Sequence, residues 1–204
     1  MERRVVTRPA FTQTGSSAII GNQSEETTLG KRYDALNEDL AAFIRKQKIY
    51  FVATAASEGR VNLSPKGMDT LKVLDRNRAL WLNLTGSGNE TAAHVRENPR
   101  MTILFCSFEE APLILRLYGE ARMIRPEDPE WDALFAHFDP IPGARQIFDL
   151  SIDLVQTSCG FGVPYYSYAG ERDTLKEWAE RKGEKGIRKY WEEKNSTSLD
   201  GKPA

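Results

Sequence analysis

The stretch LTGSGNETAAHVRENPRMTILF, residues 84–105, sets small residues, hydroxyls and a helix start in the order that suits phosphate binding. Small residues at 86–88 let backbone amides come close to a ligand. Ser87 or Asn89 can cap the helix that follows, whose first free N–H groups and positive dipole end then face outward. Thr91 adds a hydroxyl donor, and Lys66, in LSPKG on a neighbouring strand, is the candidate for a fixed cation. Glu90 is discordant, because a carboxylate in the first helical turn suits the dipole but competes with a bound anion. Read alone, the stretch is more simply an ordinary capped helix. It lacks the six-residue G-x-G-x-x-G spacing and the Lys-Ser/Thr ending of a P-loop.

Other chemistry is sparse. His94 and His137 have no metal-ligand spacing to Cys or a carboxylate, and His94 reads as a helix-face residue rather than a ligand. Cys106 lies in an apolar strand as a small buried hydrophobe. Cys159, in TSCGFGVP, has no visible basic partner to make it reactive. Neither a Gly-x-Ser-x-Gly elbow nor a triad order occurs. The row Asp149, Ser151, Asp153 reads as the wet face of a strand, and Glu109-Glu110 as a solvated loop. Redox or group-transfer chemistry would therefore need a cofactor to bring the reactive atoms.

The elements that position these residues follow from periodicity. Asp34 is a cap for a helix with Leu36, Leu40, Phe43 and Ile44 on one face. KIYFVATAA (48–56) is a strand, SEGRV a turn with Gly59 at its tip, and VNLSPKGMDTLKVL a second strand interrupted by Pro65 and Gly67. RNRALWLNL, RMTILFCSF, LILRLYGEARMI and IFDLSIDLVQ supply four more. Helices are expected over 128–138 and from about Asp173, the latter weakened by Gly183 and Gly186. Six strands in one meander with few short helices predict a mainly β fold, an antiparallel barrel rather than a doubly wound sheet.

Composition bounds the partners. The 204 residues are 40% hydrophobic and 28% charged with a formal net charge of −1, ordinary for a soluble globular protein. There is no overall field to attract nucleic acid or an anionic membrane, and no apolar run long enough to span a bilayer. The N-terminus has no apolar h-region, and two cysteines make no disulfide framework, so a cytoplasmic protein is expected.

FVATAASEGRVNLSPKG, then ALWLNLTGSGNETAAHVRENPRMTILF, then LRLYGEARMI resembles the FMN-binding split-barrel family related to pyridoxamine 5′-phosphate oxidase. The correspondence runs from residue 51 to residue 124, and its specificity lies in the order and spacing of the parts. The resemblance implies a six-stranded antiparallel split β-barrel, FMN as cofactor, and a homodimer with the flavin in a groove between subunits. It implies an oxidoreductase acting on a small molecule or a nicotinamide electron donor. By position, Ser64, Lys66, Gly67 and Met68 line the flavin from the second strand. Asn83, Leu84 and Thr85 end the third, and Ser87, Gly88, Asn89 and Thr91 form the phosphate turn, with Arg116 as a supplementary cation.

Two departures qualify the likeness. Gly88-Asn89-Glu90-Thr91 stands where the family has Ser-Arg-Lys, so two cations are missing and an acid is gained. The tail EEKNSTSLDGKPA replaces the Arg-Leu-His-Asp-Arg-like ending of true pyridoxamine 5′-phosphate oxidases, and Leu113 or Ile114 stands where those enzymes offer a Gln. Vitamin B6 is therefore not the expected substrate. The other readings are a flavin- or haem-binding barrel without turnover, with His94 or His137 as its only imidazoles, and a dimeric module that has lost the cofactor. The expected organisation is a flexible tail over 1–30, a split-barrel domain over 31–170, and a C-terminal helix and tail over 171–204. TSCGFGVPYYSY is read as a lid, a dimer contact or aromatic packing over a barrel end.

Overall fold

The computed structural model describes residues 30–204. The tail expected over 1–30 lies, but for Gly30, outside them. Eight strands form one antiparallel sheet: β1 (Arg32–Tyr33), β2 (Tyr50–Thr54), β3 (Asn62–Lys66), β4 (Leu71–Asp75), β5 (Arg78–Leu84), β6 (Arg100–Cys106), β7 (Ile114–Ile124) and β8 (Ala144–Ser158). Their order across the sheet is β3-β2-β6-β7-β8-β5-β4, with β1 paired to β8. The two edges, β3 and β4, are consecutive in the chain and joined only by residues 67–70. A link of that length reaches no more than about 15–18 Å, so the sheet must curl until its edges almost meet. They do not pair, and the result is a split barrel of mainly β class.

The segment expected as one interrupted strand, 61–74, is thus two. Pro65 and Gly67 break the run, and Met68 and Asp69 turn it with φ of 61° and 53°, left-handed values that side chains bearing Cβ seldom adopt. With β1, this gives eight strands instead of six around the same meander. In β7, a Cβ on Gly119 would lie 1.9 Å from the Ser151 carbonyl oxygen, so only glycine allows β8 to approach there.

Trp81, Phe105, Phe148, Leu115, Leu117 and Val155 fill the barrel, with Trp81 and Phe148 stacked at 4.9 Å. Helix α1 (Glu38–Lys46) packs Leu40 and Ile44 into the same core. Its cap is Asn37, whose Oδ1 accepts the Leu40 N–H at 2.9 Å, rather than Asp34. Helix α2 (Glu90–Glu97) follows the glycine turn. Helix α3 (Trp131–Phe135), shorter than the expected 128–138, covers Leu80, Leu82 and Ile147 on the outer face. Helix α4 (Thr174–Lys194) is kinked at Gly183, where φ is 64°. No helix of the described residues is long and apolar enough to cross a membrane.

Candidate functional site

Asn62, Ser64 and Lys66 of β3, Trp81, Asn83 and Leu84 of β5, and the turn and helix start from Gly86 to Thr91 line one cavity of about 280 Å³. Strand alternation accounts for this: Asn62, Ser64 and Lys66 share a face of β3 while Leu63 points away. Asn62 Nδ2 donates to Thr91 Oγ1 at 3.3 Å, so the Thr91 hydroxyl keeps its own hydrogen to donate. A Cβ on Gly86 would meet nothing within 4 Å, which leaves the space beside the turn open.

The cavity has a second cation that the sequence did not announce. Asn83 of β5 pairs with Gln146 of β8 and Leu84 pairs with Ala144, so Arg145 is the extra residue of a β-bulge. Such a bulge re-aims its side chain, and Arg145 enters the cavity wall with 5% exposure. Its Nη2 donates to the Gly88 carbonyl at 3.2 Å, while its Nε is buried without a partner. Burial, reinforced by the Arg145 charge, brings the Lys66 ammonium down to about 8. Burial likewise brings the Arg145 guanidinium down to about 10. Neither cation has a salt-bridge partner among the described residues. The pocket is short of negative charge.

Glu90 does not make good that shortage. Both its carboxylate oxygens accept the Leu199 N–H, at 2.9 and 3.1 Å, so the acid expected to compete with an anion is engaged by the C-terminal segment. That segment is built into the site. Asn195, 2% exposed, accepts Arg145 Nη1 on Oδ1 and donates from Nδ2 to the Gly86 carbonyl at 3.2 Å. Its own carbonyl accepts Asn89 Nδ2, also at 3.2 Å. Asn89 therefore starts α2 without a side-chain cap bond, and its Oδ1 is buried and unpartnered. Trp191 Nε1 donates to Thr85 Oγ1 at 2.7 Å, and that hydroxyl donates to the Gly143 carbonyl. Thr85 thus supports the turn from behind.

Gly67 and Met68 line a larger neighbouring cavity, which shares Lys66 with the first. Arg116 is not brought to either; on β7 it donates to Ser158 Oγ at 3.2 Å. His94 is buried against β2, with Nδ1 at 3.1 Å from Thr54 Oγ1, the helix-packing role expected. Asp149 is a correction: it is not on a wet face but 7% exposed, held by Arg78 at 2.8 and 2.9 Å and by Arg122 at 3.3 Å. Its burial, which alone would raise the carboxyl, is outweighed by these guanidinium contacts, and the carboxyl sits below its usual range. The described residues include no cluster of three metal-ligating side chains.

One buried and one half-buried cation without ion-pair partners, an orphaned guanidinium N–H, the helix start of α2 and an apolar cavity adjoining through Lys66 fit a group with a phosphate at one end and a flat apolar ring at the other. The family described as pyridoxamine 5′-phosphate oxidase matches residues 36–159. The pyridoxamine 5′-phosphate oxidase family protein ustO of Aspergillus flavus is 35% identical over 189 residues, 84% of this chain and 76% of its own length. Among solved structures, HupZ of Group A Streptococcus superposes with a TM-score of 0.47 at 17% identity, covering 66% of this chain and 99% of that one. An FMN-binding protein from Syntrophomonas wolfei gives 0.43 at 14% identity, over 55% and 78% of the two chains. The family match spans more than half of the chain, and with the fungal relative it makes this protein a member of the pyridoxamine 5′-phosphate oxidase family.

Proposed function

We propose that this protein is an FMN-dependent oxidoreductase that works as a homodimer, with vitamin B6 not its substrate. The observation that carries the reading is the pair of cations without ion-pair partners, buried Arg145 and half-buried Lys66, facing the 86–91 turn, with the Glu90 carboxylate engaged by the Leu199 N–H. Lys66 and Arg145 would take the FMN phosphate between them, and the first amides of α2 with the Thr91 hydroxyl would donate to its oxygens. Gly67 and Met68 would border the ring. A bound flavin supplies the hydride or electron transfer; the chain supplies charge neutralisation at one end and an apolar surround at the other. Arg145 stands in for the Arg-Lys pair that the turn lacks, which argues against a module that has lost its cofactor.

A second reading, flavin binding without turnover, draws on the absence of any histidine from the lining of both cavities among the described residues. A haem version is less favoured, since neither His94 nor His137 lines either cavity. The test is to add FMN to the purified protein, remove the excess by gel filtration, and then add NADPH or NADH anaerobically. Flavin absorbance that co-elutes and is then bleached is the expected result. Retained flavin that no nicotinamide bleaches would leave the carrier reading, and no retained flavin would overturn both.

A further inference from the structure

The larger cavity has about 1,040 Å³, at the upper end of the roughly 300–1,000 Å³ usual for small-molecule sites. A flavin ring at its Lys66–Met68 edge would leave most of it open. Its interior is apolar and aromatic: Phe51 of β2, Leu175 and Trp178 of α4, and Phe108 after β6. Tyr166 and Tyr168, from the loop between β8 and α4, form the mouth and are 68% and 56% exposed. Tyr166 leans on Phe108 with ring centroids 5.3 Å apart.

The charge around this apolar space is one-sided. Lys46, Lys48, Lys66, Arg172 and Arg181 border it against only Glu109 and Glu171. Glu171 is occupied by the Tyr168 hydroxyl at 2.8 Å, and Lys48 Nζ stands 5.7 Å from the centre of the same ring. Arg181 has Glu177 at 3.6 Å, whereas Lys46 and Arg172 have no ion-pair partner among the described residues. A neutral or cationic guest would leave this rim unanswered; an apolar body with one carboxylate answers both surfaces.

We propose that this cavity is the substrate chamber, and that it takes bulky amphipathic anions: a flat apolar body lying against Phe51, Phe108 and Trp178, with its carboxylate among Lys46, Lys48 and Arg172. That the guest is a substrate rests on the flavin reading above; that it binds here does not.

The full chain, with and without FMN, is titrated with 2-naphthoate, 2-naphthylmethanol and 2-naphthylmethylammonium while tryptophan fluorescence is followed. Naphthoate should quench and bind about tenfold or more tightly than the alcohol, the worth of one charge-assisted contact, and the ammonium should bind more weakly still. Trp178→Phe should abolish most of the quench, and Lys48→Glu with Arg172→Glu should remove the preference for the anion. Equal affinity for the three probes, or a preference unchanged by the charge reversal, would overturn the anionic class. Absence of naphthoate binding, as expected if a second copy covers the cavity, would overturn the chamber. FMN retention is scored separately. Flavin bound without naphthoate defeats this inference alone, and naphthoate bound without flavin keeps the site and defeats the oxidoreductase.

Discussion

A cation withdrawn from water without a carboxylate partner costs a folded chain stability; Arg145 is buried in that way, and half-buried Lys66 shares its cavity and likewise has no such partner. Their retention is understandable if an anion completes them. Arg145→Gln should therefore weaken FMN by about tenfold to a hundredfold, the equivalent of one charged hydrogen bond of about 1.5–3 kcal/mol. The melting temperature of the FMN-free protein should fall little or rise, and equilibrium dialysis with thermal denaturation reads both; unchanged affinity would remove Arg145 from the site. Lys66 adds a pH dependence. Its ammonium, at about 8 in the folded chain, is below the ordinary lysine value, so the unfolded chain holds more protons between the two and FMN-free stability should rise with pH across that window. FMN affinity should run the opposite way: full below pH 8, where lysine is charged and phosphate is a dianion above its second pKa of about 6, then falling as pH rises past 8. In Lys66→Met that fall should disappear. Lys66 was legible because LSPKG sits next to a glycine turn in a recognisable order. Arg145 was not, because its aim comes from a bulge in the pairing of β5 with β8, strands far apart in sequence. Arg116 shows the converse, a cation in a suitable-looking strand that the register turns toward Ser158.

The strands were legible because apolar alternation is a local signal, and β2, β5, β6, β7 and β8 lie where it placed them. What it could not carry is how edges and ends meet. Pro65 and Gly67 indicated an interruption, but only the left-handed turn at Met68 and Asp69 sends β4 to the opposite edge of the sheet. The C-terminal segment is the larger surprise. Its sequence is polar and without period, yet Asn195 ties Arg145, Gly86 and Asn89 together, while Asp200 pairs with Arg60 and Lys202 with Glu97. A polar tail gains order here from specific partners that no periodicity encodes. Substitution at Asn195 separates support from charge. Asn195→Ala removes two hydrogen bonds and should cost about 1–3 kcal/mol of stability, with weaker FMN binding. Asn195→Asp gives Arg145 a carboxylate, so it should be the more stable of the two variants and yet the poorer binder, since the added anion competes for the same guanidinium. If both variants bind FMN as the parent does, the tail is packing alone. Glu90→Lys is less informative, because it would also release Leu199.

A curled sheet that fails to close leaves two edges, and exposed edges invite pairing or cover. On β3 the residues alternate: Ser64 and Lys66 turn into the cavity, while Leu63 and the preceding Val61 are 65% and 72% exposed. Apolar side chains this open, on the outer face of the strand whose inner face lines the candidate cofactor site, suit a surface that a second copy covers. Occupancy of the cavity and assembly of the chain would then be one equilibrium, since anything that binds only the dimer stabilises it by mass action. Leu63→Glu tests this cleanly. An exposed leucine contributes little to the isolated barrel, and surface substitutions of that kind usually change stability by no more than about 0.5 kcal/mol. If β3 is buried between copies, the variant should sediment as a monomer at micromolar protein, keep its secondary structure, and lose FMN affinity although no cavity residue has changed. FMN should in turn shift the parent protein toward the dimer on dilution. A variant that stays dimeric would move the interface elsewhere, and a monomer that still held FMN as tightly as the parent would uncouple the flavin from assembly and place the whole site within one chain.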